Sequence, residues 1–242
     1  MRTGFHNHGL PRYISERFFS LWSYVPELRE AGAIWVPELP TLVYTAPKNA
    51  ARRRRVQQVL GKFGFTRWEF VTGRDGGPYW VAVAKDHAEI LRRCQPPLLV
   101  LEDDIEPREF RPNVFPPGGS QVVYLGGGRG GIEHGRSCKH DGGQGFVRSH
   151  NYGYQPIDEE WFRVCGMWFS HAILWLEKGV MLEAAAALDA TAKAVDTVYA
   201  ENQHRWRVVC RRVPMFWQND GHHHYDTYEY RPEYPACKKR RR

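Results

Sequence analysis

The most chemically pointed stretch of this 242-residue chain is Leu98-Leu99-Val100-Leu101-Glu102-Asp103-Asp104, an apolar run that ends in three consecutive acids. Its apolar part reads as a buried strand, and in open α/β sheets ligands bind outside the carboxyl ends of strands. Carboxylates crowded at such an end repel one another unless a cation or hydrogen-bond donors lie among them. A hard divalent ion, Mg2+ or Mn2+, meets that need, because it takes oxygens from one or two carboxylates and completes its shell with phosphate oxygens. The chemistry this predicts is binding of a nucleoside diphosphate. The plainer alternative is an exposed acidic turn that caps the next element.

Two other phosphate motifs fall away. No GxxxxGK[ST] loop accompanies the acids, since Gly61-Lys62 lacks the upstream glycine and the following Ser or Thr. Gly126, Gly128 and Gly131 satisfy GxGxxG after a strand, but no helix pattern follows them, so they read as loop. Arg52 to Arg55 fall on a helix after the first strand, where a donor phosphate can approach. Successive helical residues point about 100° apart, so only one or two of this run face a ligand. Arg54 is preferred, and the rest read as a solvated face. His134, Cys138, His140 and His150 match no zinc-finger spacing and read as a polar loop.

The elements that must position these groups alternate. Thr41 to Thr45 reads as a short buried strand, and Asn49 to Gly61 as a helix with an Asn N-cap and a Gly terminus. A strand at Trp68 to Thr72, a Gly-rich turn and a helix from Tyr79 to Cys94 follow, ended by Pro96 and Pro97. Further strands are expected at Gln121 to Leu125, Gly166 to Trp175 and Val208 to Phe216, with helices at Glu177 to Leu188 and Thr197 to His204. This grammar predicts an α/β fold with a mainly parallel central sheet and helices on both faces. Residues 126–154, rich in Gly, His and Ser, read as a long active-site loop. The expected division is a helical appendage over 1–40, a catalytic domain over 41–226 and a basic tail over 227–242.

Taken in order, these blocks resemble glycosyltransferase family 25, which includes lipooligosaccharide and procollagen galactosyltransferases. The resemblance rests on Arg52 to Arg55, Val71-Thr72-Gly73-Arg74-Asp75, Val83-Ala84-Lys85-Asp86-His87 and the Glu102-Asp103-Asp104 run. It continues through Tyr124-Leu125-Gly126, Gly166 to Leu176, Ala194-Val195-Asp196 and Val213 to Gly221, and spans most of Thr41 to Asp226. It implies a GT-A fold, Rossmann-like in its nucleotide-binding half, with a UDP-sugar or similar donor, a Mn2+ or Mg2+ ion and an inverting transfer to an acceptor hydroxyl. Glu102, Asp103 and Asp104 then occupy the metal and nucleotide motif, with Asp104 the direct ligand, and Thr45, Arg54, Gly73, Arg74, His87 and Gln218 fall on the donor side. Asp196 matches the acidic position expected of the general base, with Asp158 and Glu159 as alternatives, although an Asp just before Thr197 also suits helix capping. His222 and His224 are candidates to complete the metal shell or to act near neutral pH, against the plainer reading of a solvated loop. Trp217 is the candidate stacking platform for the acceptor, with Asp220 and Asp226 beside it. Two departures stand out: Asp86 replaces a family serine, and His224-Tyr225-Asp226 replaces a Ser-Asp pair.

Composition limits the partners. The chain has 34 Lys and Arg against 27 Asp and Glu, a net charge of +7, with 42% hydrophobic residues, which excludes disorder and suffices for one large domain. The excess charge is local, carried by Arg52 to Arg55 and by Lys238 to Arg242. The resemblance implies a saccharide or lipopolysaccharide precursor as the acceptor, and the latter run, which can contact a polyanion, adds the alternative of a hydroxylated base in DNA that must be flipped out. The rival reading is a non-catalytic nucleic-acid-binding module on the same scaffold. Scattered cysteines without CxxC spacing, and no leader or membrane span, fit a reduced, cytoplasmic protein.

Overall fold

The computed structural model describes residues 33–46, 49–74, 78–107, 110–126, 153–167, 169–211 and 213–218. In chain order its first elements are β1 (Ile34–Trp35), β2 (Thr41–Thr45), α1 (Ala50–Lys62), β3 (Trp68–Thr72), α2 (Tyr79–Arg93) and β4 (Leu98–Glu102). Short strands β5 (Ile105–Pro107), β6 (Asn113–Val114) and β7 (Val122–Tyr124) follow. Then come β8 (Gly153–Pro156), β9 (Trp161–Cys165), β10 (Ala172–Trp175), α3 (Lys178–Asp189), α4 (Val195–Asn202), β11 (Val208–Arg211) and β12 (Phe216–Gln218).

Alternation along the strands decides which side chains meet. Leu42, Tyr44, Leu98 and Val100 point to one face and bury Ala84, Ala88 and Leu91 of α2, Met181 and Ala185 of α3 and Tyr199 of α4. Val43, Leu99 and Leu101 point to the other face and cover Val56 and Leu60 of α1. Helices therefore lie on both faces. Lys178, the first residue of α3, ties the helical layer together by donating to the carbonyls of Leu91, Arg92 and Cys94, the last turn of α2, at 3.1, 2.7 and 2.5 Å. Those carbonyls have no partner within their own helix.

The sheet is mixed, which corrects the expectation of a mainly parallel one. Its order is β3-β2-β4-β10-β7-β11-β9-β8. β2 runs parallel to β3 and β4, and β7 to β11. β10 is antiparallel to both β4 and β7, and β9 is antiparallel to β11 and β8. The physical reason is the connections: a crossover helix forces the next strand to run parallel, as in β2-α1-β3-α2-β4, and no described helix separates β4 from β10. The strand expected from Val208 to Phe216 is divided between β11 and β12, and β12 leaves the main sheet to pair with β5. Residues 34 to 39 are built into the fold: β1 pairs with β6, and Val36 and Leu39 are fully buried.

Candidate active site at the carboxyl ends of β2 and β4

From β2 the chain crosses through α1 to β3 on one side, and from β3 it crosses through α2 to β4 on the other. α1 and α2 lie on opposite faces, so the carboxyl ends of β2 and β4 flank a topological switch point, the place where open α/β sheets leave a crevice. Glu102 closes β4, Asp103 and Asp104 follow it, and Thr45 closes β2.

Each acid of this run has a different environment. Asp103 turns toward α1 and is saturated with donors: the Thr45 hydroxyl at 2.5 Å, the Asn49 amide at 3.3 Å and the Arg52 guanidinium at 3.3 Å. It locks the end of β4 to the end of β2 and the start of α1. Asp104 accepts from the Gln218 amide at 3.1 Å and lies 3.5 Å from Arg52, both through Oδ2. Its buried Oδ1 has no hydrogen-bond partner. Burial raises the Asp104 carboxyl above its ordinary value, opposed by Gln218 and Arg52. Glu102 points to the α2 side and accepts from the Ser170 hydroxyl at 2.5 Å. Burial, then the Asp104 charge, push its carboxyl well above the usual range, and Asp196 and Asp103 add to this.

Ser170 and His171 reach this edge because β10 runs antiparallel to β4; the Glu102 N–H donates to the His171 carbonyl at 2.9 Å. Phe169, just before Ser170, holds φ at 75°, a conformation that side-chain-bearing residues seldom adopt and that accumulates at functional sites. β12 delivers Gln218 by pairing it with Ile105, next to Asp104.

Behind the crevice, Tyr44 on the α2 face donates to Asp86 Oδ2 at 3.1 Å. Asp86 also accepts from the Arg74 backbone N–H at 2.9 Å and forms an ion pair with its Nε at 2.7 Å. The carboxyl is fully buried, and that burial raises it despite the arginine. Gly73 lies so close to Tyr44 that a Cβ there would stand 2.9 Å from Tyr44 Cζ and nearer still to its hydroxyl oxygen. His87 is buried between Tyr44 and Tyr199, with Nδ1 3.3 Å from the Tyr199 hydroxyl. Burial pushes it down to about 4, so it is neutral.

The structure thus brings Thr45, Gly73, Arg74, Glu102, Asp103, Asp104 and Gln218 to one edge. Asp196 sits half-buried in the first turn of α4, accepts the Thr197 N–H at 2.7 Å, and is near enough for its charge to raise Glu102. His87 lies behind the edge, in the core. Trp217 is 8% exposed and packs along β5. Of the arginine run on α1, Arg54 is exposed, whereas Arg52 and Arg53 turn to the strands; Arg53 donates to Thr45 Oγ1 at 3.4 Å and to Thr72 Oγ1 at 2.8 Å. Asp220, His222, His224, Asp226 and Lys238 to Arg242 lie outside the described residues. Sequence reading missed Ser170, gave Asn49 only as a helix cap, and placed Arg52 in the arginine run while preferring Arg54. It also missed Tyr79, 60% exposed at the start of α2, whose hydroxyl is raised by burial and then by the charges of Glu102, Asp103 and Asp104.

Among the described residues no group of three or more His, Cys, Asp or Glu side chains is arranged to hold a metal ion by itself. The unpartnered Asp104 oxygen beside Glu102 instead fits a hard cation that keeps most of its shell for phosphate and water. Among the described residues no helix is long and apolar enough to cross a membrane.

No family model matches the chain, and no curated protein matches it. Among solved structures, a nucleoside-diphosphate-sugar pyrophosphorylase from Vibrio cholerae RC9 is similar with a TM-score of 0.41 and 13% identity, over 73% of this chain and 73% of that one. A likeness at that level says nothing of activity.

Proposed function

We propose that the chain is a metal-dependent glycosyltransferase that moves a hexose from a nucleotide-sugar donor to an acceptor hydroxyl. The observation that carries the reading is the buried Oδ1 of Asp104 at the switch-point crevice, which has no hydrogen-bond partner among the described residues and lies beside a second raised carboxyl and the Arg52 guanidinium. Asp104, with Glu102, would hold Mg2+ or Mn2+, and the bound ion would supply charge neutralisation for the departing diphosphate. Arg52 and Arg74 offer guanidinium groups to phosphate from either side of the crevice; their side chains remain 42% and 34% exposed, fixed at one end by Asp103 and Asp86. Asp103 orients rather than reacts, since its oxygens are taken by Thr45, Asn49 and Arg52. Asp196 is the base that accepts the acceptor's proton, placed on the α4 side of Glu102.

A thermal-shift panel of UDP- and GDP-sugars with and without Mn2+ tests this, because a ligand that binds only the folded state raises its apparent stability. The expected result is a shift for one donor that needs the ion and disappears in Asp104→Asn. A panel with no ion-dependent shift for any nucleotide sugar overturns the reading.

A further inference from the structure

At the opposite edge of the sheet, where Val122 and Val208 pair at the amino ends of β7 and β11, a cavity of about 430 Å³ opens over Ile157, Val208 and Val209. Among the described residues two arginines line it, Arg163 and Arg207, and no acid does. Arg163 stands directly across from Val209 in the β9 and β11 register. Arg207, two residues before Val209, is therefore its diagonal neighbour on the same face, a relationship that puts Cβ atoms about 7–8 Å apart. Neither arginine forms an ion pair among the described residues.

Arg207 is also held in place. Its backbone N–H donates to Gln121 Oε1 at 2.8 Å, and its guanidinium donates to the Gly118 carbonyl at 3.1 Å. The guanidinium lies over the turn at Gly119, whose φ is +75° and whose missing side chain leaves it room, since a Cβ there would come within 2.8 Å of Arg207 Cζ. Two like charges set side by side without a counter-charge are unfavourable, and an anion between them removes that cost. A pair of guanidinium forks suits the dianionic oxygens of a phosphate group better than a single carboxylate. The apolar floor asks for a small carbon body beside it, and the volume lies in the range of small-molecule sites, about 300–1,000 Å³.

We propose that this cavity is a second ligand site, separate from the carboxylate edge, that binds a phosphomonoester carrying a compact apolar or cyclic body.

Isothermal titration of the full chain with phenyl phosphate, with inorganic phosphate as the second arm, tests it. The expected result is saturable binding of phenyl phosphate, tighter than inorganic phosphate, that weakens by about tenfold or more in Arg163→Gln and in Arg207→Gln. Asp104→Asn keeps the wild-type affinity. The Arg163 side chain makes no hydrogen bond or ion pair among the described residues, so R163Q keeps the wild-type urea midpoint and reports ligand contact alone, whereas R207Q also loosens the turn at Gly119. Absence of saturation up to about 10 mM, unchanged affinity in R163Q, or loss of binding in D104N each overturns the proposal.

Discussion

Asp86 and Arg74 hold each other through two contacts at once: the carboxylate takes the arginine's backbone N–H at 2.9 Å and pairs with its Nε at 2.7 Å, from a fully buried position in α2. Where the resemblance to family 25 leads one to expect a serine, this chain thus has an acid that aims a guanidinium. Burying a carboxylate is unfavourable unless it is paired, so the pair is read as a device for placing Arg74.

Arg74→Ala tests that pairing. It strips Asp86 of the one charged partner it has among the described residues and lowers stability by about 1–3 kcal/mol, the lower part of the range reflecting a partly exposed arginine. The folded-state carboxyl is already raised, and the variant raises it further above its unfolded value. The ionised form therefore opposes folding more as pH climbs, and the loss in urea midpoint is larger at pH 8 than at pH 5. Equal losses at both would mean Asp86 is not charged in the native protein.

Gly73→Ala drives a Cβ into the Tyr44 ring, whose hydroxyl is tied to Asp86 and cannot swing aside. Overpacking of this kind costs about 1–3 kcal/mol. In the Tyr44→Phe background the offending oxygen is gone, and the second substitution is expected to cost markedly less. Additive losses in the double-mutant cycle would show that the clash is relieved elsewhere.

Glu102→Gln keeps an oxygen for the Ser170 hydroxyl and removes a charge that burial and Asp104 oppose. Because the folded-state value lies above the unfolded one, the native carboxyl supports folding only below the ordinary carboxylate range and works against it as pH rises. Without divalent ions, E102Q is therefore more stable than wild type at pH 8, by on the order of 1 kcal/mol, and indistinguishable from it near pH 4. Added Mn2+ is expected to raise the melting temperature of wild type and not of E102Q. A variant less stable than wild type at pH 8 in chelator contradicts the electrostatic account.

His87 is neutral in the fold, pushed by burial from 6.5 down to about 4. A depressed histidine contributes stability that is complete above its unfolded value and is lost as pH falls from about 6.5 toward 4, up to about 3 kcal/mol. His87→Phe, which preserves a ring between Tyr44 and Tyr199, removes this contribution. The stability difference between wild type and variant is expected to shrink or reverse in sign over that window, and a constant difference from pH 7 to pH 4.5 rules the assignment out.

Much of the amino-terminal half was legible in the residue pattern, because β2, α1, β3, α2 and β4 are local and each carries its own period and breakers. The phase of α1 was legible too, though the preference for Arg54 ignored it. Val56 and Leu60 mark the buried stripe. Arg52 and Arg53, four and three residues before Val56, share that side, whereas Arg54, two residues before, points away. Nucleotide-sugar affinity is accordingly expected to fall about tenfold or more in Arg52→Ala and to hold in Arg54→Ala, as measured by titration. Ser170 and Gln218 were harder. Their approach depends on strand direction in β10 and on β12 leaving the sheet for β5, and neither is written in local periodicity. Glycine at 73 was visible as a turn signal, but its reason, the Tyr44 ring beneath it, is a contact between separate strands.

The seam where Leu101 of β4 pairs with Ala172 of β10 has a bearing on how the protein is made. During synthesis β4 is complete long before β10 leaves the ribosome, and until then one side of β4 offers unpaired backbone groups of the kind that recruit other chains. Pairing between such distant residues is also slow to form. Until β10 arrives, that side of β4 is open to pairing with another chain. A fragment cut before Ser170 would carry the acidic run but not the hydroxyl that holds Glu102, so the amino-terminal half alone lacks a contact that fixes its acidic edge.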